Sequence, residues 1–206
     1  MQQVSTGNVY LDRELNGGLP AGAITALVSA PASQCNPMFY TLMGEGKWLY
    51  LSTYRSERVV RRELEGVLVG DVRVEHVGTE RPVRNAHSVL ESVDEPRNVL
   101  VDTMNPLESA DRERGYVHLL NALKEYLLDT DSIAVLHCTE HGTTPPHRET
   151  TLTVADVVLE LDIVVDETVV ENHLLVSKYR GRETVDEIIK LDLGQQLGVD
   201  TSRNIA

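Results

Sequence analysis

Short apolar runs alternate along this chain with longer stretches whose apolar residues recur at helical spacing. Parallel strands joined by helical crossovers produce that alternation. Five runs, at 23–29, 47–52, 72–77, 98–102 and 132–138, are β-branched and apolar enough to be buried on both faces. The segments between them predict helices at 37–44, 56–68, 87–93 and 110–128. In the last of these Tyr116, Leu119, Leu120, Leu123 and Leu127 form one stripe of helical period.

After "HGTTPPH", residues 141–147, the pattern changes. Strands at 157–165, 169–178 and 187–193 follow one another without helices, which predicts an antiparallel extension with Asp166 and Glu167 at its first turn. Residues 139–150 hold two prolines and several hydroxyl groups, and predict a mobile loop. The tail "GVDTSRNIA" has little to order it except docking. No repeat or low-complexity tract interrupts the chain. Its 206 residues fit one domain, 1–206, of α/β class with a mainly parallel central sheet.

Charge alters the picture of partners. Thirty-two acidic residues against 19 basic ones leave a net charge of -13. Such a surface repels polyanions, so nucleic acid is not the favoured partner. The scarce lysine and single phenylalanine also resemble the composition of proteins from extreme halophiles. There an acidic surface is general, and salt shortens the reach of every charge. Two cysteines, Cys35 and Cys138, make no disulfide framework, and the first ten residues lack the charged and apolar regions of a signal peptide. No apolar run approaches the roughly 18 residues of a membrane span. The expectation is a cytoplasmic protein without membrane contact.

The segment "STGNVYLDRELNGGLPAGAITALVSAP" closely resembles the opening of RecA/KaiC-like ATPases, where a short helix runs into Gly-Gly-Leu-Pro-x-Gly before the first core strand. Gly17 and Gly18 suit a left-handed helix end, Pro20 stops the helix from resuming, and Gly22 suits the turn into the strand. Downstream, "KWLYLS" resembles the family's second strand and "RNVLVDT" its Walker B strand. "ADVVLEL" and "HLLVSKYRG" resemble its C-terminal hairpin. The resemblance covers nearly the whole chain and implies a RecA-like three-layer fold.

It also implies a phosphate-binding loop, G-x-x-x-x-G-K-[ST], and here the sequence departs from the family. Ala30 to Pro37 fall on the eight positions. Ala30 and Cys35 replace the two glycines, Asn36 replaces the lysine, and Pro37 replaces the hydroxyl that holds magnesium. Pro37 also removes a backbone N–H that would face an anion. As a helix start, however, Asn at the N-cap followed by Pro is favourable. After the second strand, Ser52-Thr53-Tyr54-Arg55 stand where KaiC-like ATPases carry paired glutamates. With lysine, metal hydroxyl and general base all missing, the resemblance implies neither ATP hydrolysis nor a bound cofactor, and no catalytic residue.

Asp102 matches the Walker B aspartate; it either reaches a magnesium ion or caps the turn at 103–105. Lys178 and Arg180, in "SKYRG", resemble the element with which KaiC-like subunits reach nucleotide on a neighbour. They fit equally an edge strand protected by positive charge. Cys35, near a helix N-terminus, is either a reactive thiol or a buried one with no acid–base partner. His137, Cys138, His141 and His147 have no common zinc spacing, and in a strand His137 and Cys138 face opposite ways. The arginines of "YRSERVVRREL" are interleaved with Glu57, Glu63 and Glu65, as on a solvated helix face.

The functional expectation is a non-catalytic RecA/KaiC-like regulator or assembly protein, acting as a homo-oligomer or with an active paralogue. Two rivals remain: a recombinase-like accessory protein binding DNA through the 139–150 loop, and a protein that binds nucleotide without turnover.

Overall fold

A computed structural model describes residues 2–44, 46–67, 70–140, 142–166, 169–181, 188–193 and 197–199. The chain opens with β1 (Gln3–Val4), α1 (Val9–Glu14) and β2 (Leu19–Pro20), with β1 and β2 paired as a small antiparallel sheet. Next come β3 (Ile24–Ser29), α2 (Asn36–Met43), β4 (Lys47–Ser52), α3 (Glu57–Leu64), β5 (Asp71–His76), α4 (Pro82–Glu91) and β6 (Asn98–Asp102). They are followed by α5 (Asn105–Glu108), α6 (Glu113–Thr130), β7 (Ala134–Thr139), α7 (Arg148–Val154), β8 (Val157–Asp166), β9 (Val169–Tyr179), β10 (Ile189–Leu193) and β11 (Leu197–Val199).

The main sheet has nine strands in the order β11-β10-β9-β8-β3-β7-β6-β4-β5. From β8 to β5 all neighbours are parallel, and β9, β10 and β11 add antiparallel strands beyond β8. This is the α/β arrangement with a C-terminal antiparallel extension that the patterning predicts. Both faces of the sheet are covered. Leu27, Trp48, Leu100 and Val135 pack with Met38, Phe39, Leu42 and Met43 of α2 on one face. Ala26, Leu49, Val101 and Leu136 pack on the other face against the α6 stripe of Tyr116, Leu119, Leu120, Leu123 and Leu127.

Several local expectations change. The left-handed residue that ends α1 is Asn16 (φ 56), not a glycine. Gly17 N–H donates to Asp12 O (2.7 Å) and Asn16 N–H to Arg13 O (3.1 Å), the paired bonds of a Schellman end. Gly18 is needed for another reason: its φ is +108, and a Cβ there would lie 2.3 Å from Val4 O, so only glycine lets the chain pass β1. Helix α4 begins earlier than predicted, with Pro82 in its first turn. The 139–150 segment is not all loop, since α7 starts at Arg148. Leu68 and Glu187 at predicted element ends, Glu167 of the hairpin turn, His141, and the tail beyond residue 199 lie outside the described residues.

Candidate functional site

Strand alternation assembles the site. Ser29 follows Leu27 by two, Asp102 follows Leu100, and His137 follows Val135, so all three stand on the α2 face, as Tyr50 does beside Trp48. Parallel register then aligns the strand ends: Asp102 pairs with His137 and with Ser52, and Ser29 with Thr139. The result is a buried polar cluster at the C-terminal edge of the sheet, where open α/β sheets place ligands.

Its geometry is specific. His137 Nδ1 lies 2.7 Å from Asp102 Oδ1. His137 Nε2 lies 3.0 Å from Ser29 Oγ and 3.6 Å from Cys35 Sγ. The second carboxylate oxygen, Oδ2, accepts from Tyr50 OH and from Arg55 Nη2, each at 2.6 Å. Arg55 Nη2 also donates to Tyr50 OH (2.5 Å), and its Nη1 pairs with Glu63. Phe39 of α2 meets the imidazole edge-on at 5.1 Å. Only 9% of Asp102 and 5% of His137 remain exposed.

Burial alone would neutralise both members of the pair, yet partners outweigh it. For Asp102, burial raises the pKa, but the hydrogen bond and charge of His137, then Tyr50 and Arg55, hold it at about 2. For His137, burial opposes the cation, but the Asp102 bond and then the Cys35 sulfur lift it to about 9. Tyr50 is pushed upward, chiefly by burial and then by the Asp102 charge. The outline of Ser29, His137 and Asp102 is that of a hydrolytic triad, but the raised pKa of His137 favours an imidazolium over the neutral base a triad needs. An imidazolium donates from both nitrogens and has no lone pair with which to take the Ser29 proton.

The residues at the phosphate-loop positions do not fit a magnesium nucleotide. Ser33 N–H donates to Ala30 O (2.9 Å), and the Met38 and Phe39 amides donate to Cys35 O at 3.0 and 3.2 Å. Of these donors only Ser33 lies within positions 30–37, where Pro37 has no N–H and Asn36 stands in place of the lysine that would neutralise phosphate. Asp102 has both oxygens committed to protein donors, and Arg55 already supplies its counter-charge. The expected capping role of Asn36 is corrected: it lies inside α2, and Cys35 precedes the helix in near-helical conformation with no side-chain cap. The expected capping of residues 103–105 by Asp102 is corrected as well. There Thr103 N–H donates to Thr53 Oγ1 (2.9 Å), and the amide of Asn105 donates to Thr139 O (2.9 Å).

Other predicted residues also find intrachain roles. Lys178 Nζ donates to Leu152 O (2.8 Å) and Thr153 O (3.0 Å), and Arg180 Nη2 to Thr153 O (3.0 Å). Both cations therefore sit at the negative C-terminal end of α7. Cys35 is buried as expected, but it does have an imidazole beside it, which spacing of about a hundred residues concealed. Among the described residues no group of three His, Cys, Asp or Glu is placed to hold a metal. Cys138 lies 3.8 Å from Glu108 on the face opposite His137, and His147 Nε2 bonds Ala110 O at 2.9 Å.

Two features escaped sequence reading. Arg55 and Tyr50 were not recognised as Asp102 partners, although Tyr50 sits two residues before Ser52, the register partner of Asp102. Arg148 falls by position in the predicted 139–150 loop, but it is 1% exposed and clamps the wholly buried Glu108, with Nε 2.8 and 2.9 Å from its two oxygens. Thr151 Oγ1 donates to the same carboxylate at 2.5 Å and meets Tyr116 OH at 2.6 Å.

The chain belongs to the family of unknown function DUF7125, which it matches over residues 3–206. No curated protein matches it by sequence. Among solved structures, it is similar to the crystal structure of a KaiC-like protein from the hyperthermophilic archaeon Pyrococcus horikoshii. The TM-score is 0.74 at 16% identity, over 96% of this chain and 98% of that one. At that identity the likeness is one of fold, and the fold is RecA/KaiC-like. No helix among the described residues is long and apolar enough to cross a membrane.

Proposed function

We propose that this chain is a pseudo-ATPase: a RecA/KaiC-like domain whose nucleotide site has been rebuilt as a structural ion-pair network, and which acts by protein association. The observation that carries the reading is the double engagement of Asp102, with His137 on Oδ1 and both Tyr50 and Arg55 on Oδ2. A Walker B aspartate works by offering an oxygen to hydrated magnesium. Here that offer would require breaking a buried network, leaving His137 without its counter-charge and Arg55 with Glu63 alone, a cost of several kcal/mol.

Association is supported by the tip of the β8–β9 hairpin, where Ile163, Val164, Val165 and Val170 are all exposed apolar residues. The partner is a second copy or an active paralogue, and the acidic surface suits a salt-adapted cytoplasm. The DNA-accessory reading weakens, because the one permanent cation of the 139–150 loop is sequestered by Glu108.

The test is an ATP turnover assay with and without magnesium, run beside sedimentation at low and high salt. The expected result is no phosphate release above the blank, no tightening of ATP binding by magnesium, and a salt-stable assembly. Turnover that disappears in Asp102→Asn would overturn the reading.

A further inference from the structure

On the face opposite the Asp102 network, a cleft of about 920 Å³ opens between α4 and α6 at the ends of β4, β5 and β6. Its volume is in the usual range of small-ligand sites, about 300–1,000 Å³. Three arginines, Arg81, Arg84 and Arg112, line it against a single carboxylate, Asp111, so permanent charge in the cleft is net positive by two. All three are exposed, and none makes a side-chain hydrogen bond or ion pair among the described residues.

With a net charge of -13 there are carboxylates in excess, and among the described residues Arg13, Arg55, Arg61, Arg73, Arg97, Arg148 and Arg180 are ion-paired, whereas Arg58, Arg62 and Arg114 are not. The groove along α3 differs in charge, since its Arg58, Arg61 and Arg62 share it with two carboxylates, Glu57 and Glu65, of which Glu57 pairs with Arg61. Between α4 and α6 Asp111 is the one lining carboxylate, and it forms no ion pair with Arg81, Arg84 or Arg112.

Two further features fit a ligand. His87 of α4 and His118 of α6 stack across the cleft, with ring centroids 5.1 Å apart and planes inclined by 19°. Tyr54, 65% exposed at the rim, offers a flat surface to an organic body, while the stacked imidazoles cover each other's facing sides. Arg81 itself has φ 53 and ψ 43. The other non-glycine residues with positive φ among those described are Asn16 and Asp131, whose short polar side chains tolerate that region. Arginine before a proline does not favour it, so local propensity does not explain why Arg81 is held there.

We propose that the α4–α6 cleft binds a small organic phosphate carrying two or more negative charges, with Arg81, Arg84 and Arg112 gripping the phosphate. Guanidinium forks match phosphate oxygens in a bidentate way, and each such contact is charge-assisted. A small ligand is favoured over a nucleic acid because the cations are confined to the cleft. A polymer running beyond it would meet the acidic surface, whereas a compact phosphate ester meets only the arginines and the aromatic walls.

Calorimetric titration of the full chain with pyrophosphate and with AMP, both without magnesium, tests this, with a twenty-nucleotide single-stranded DNA as the polymer arm. Saturable binding of both small ligands is expected, weakened about tenfold in Arg84→Ala and again in Arg112→Ala. Arg61→Ala and Asp102→Asn should bind as the parent does, which separates this site from the nucleotide-loop region. Because the cleft arginines are exposed and unpaired, their variants should melt with the parent. The proposal is overturned by absence of binding at millimolar ligand, by affinity indifferent to the cleft arginines, or by tighter retention of the DNA than of pyrophosphate. Self-association that the same substitutions abolish would also overturn it, since the cleft would then be a subunit contact.

Discussion

Raising the pH from 6 to 10 tests the buried network directly. The ordinary imidazole value is 6.5, and in the folded chain His137 stands at about 9. Below 6.5 the ring is protonated in folded and unfolded chains alike, and its contribution to stability is fully present. Between 6.5 and 9 only the folded chain retains the proton, so unfolding releases one and stability falls as pH rises. The slope approaches about 1.4 kcal/mol per pH unit, and the accumulated loss by pH 9 is about 3 kcal/mol. Against a typical domain stability of roughly 5–15 kcal/mol that is a large fraction. Asp102 adds nothing in this window, because its carboxyl is held at about 2 and its share is lost only as pH falls through that value. Denaturant unfolding at half-unit pH steps, followed by fluorescence of the single, buried Trp48, reads the curve. His137→Gln should flatten it. Stability that stays level or rises between pH 6.5 and 9, or an equal decline in His137→Gln, would refute the assignment of a buried imidazolium.

Three other outcomes follow from the same structure. Glu108→Gln, which leaves the buried Arg148 with only the exposed Glu140 at 3.6 Å as counter-charge, should cost about 3–5 kcal/mol in denaturant unfolding, while Glu108→Leu with Arg148→Met should recover most of it. Lys178→Met removes two donors from the end of α7 and should cost about 1 kcal/mol at any protein concentration; a loss seen only in assembled protein would return Lys178 to a role between subunits. Val165→Lys with Val170→Asp on the exposed hairpin should abolish association in sedimentation and shift unfolding by less than about 0.5 kcal/mol.

The fold was legible because its signals are local and repeated. Five apolar runs predicted five parallel strands to within two residues at either end, and the stripe from Tyr116 to Leu127 is the buried face of α6. Short elements were missed for a physical reason. α5 has four residues and α7 seven, too few for a period to show, and α7 is held by the Arg148–Glu108 pair rather than by an apolar stripe. The absence of lysine and glycine from residues 30–37, on which the proposed function draws, is visible in eight consecutive residues. What replaced them was not, because Tyr50, Asp102 and His137 come from three strands, and only the parallel register and the shared α2 face bring them together.

That replacement has a chemical logic. A Walker B aspartate stripped of its metal would be a buried, uncompensated carboxylate, and burial would drive it to the neutral form. On the proposed pseudo-ATPase reading, a charged Asp102 without metal therefore requires resident cations. Arg55 stands where the paired glutamates of KaiC-like ATPases would be, and His137 on the neighbouring strand supplies the second positive charge. On the same reading, Arg55 after β4 stands in place of a general base and neutralises the aspartate at once. Restoring the lysine alone, by Asn36→Lys, should then yield no turnover, because it adds a third cation beside Arg55 and His137 while leaving both Asp102 oxygens committed. Phosphate release from that single variant, measured against Asp102→Asn in the same background, would show that the network opens far more readily than its hydrogen bonds imply.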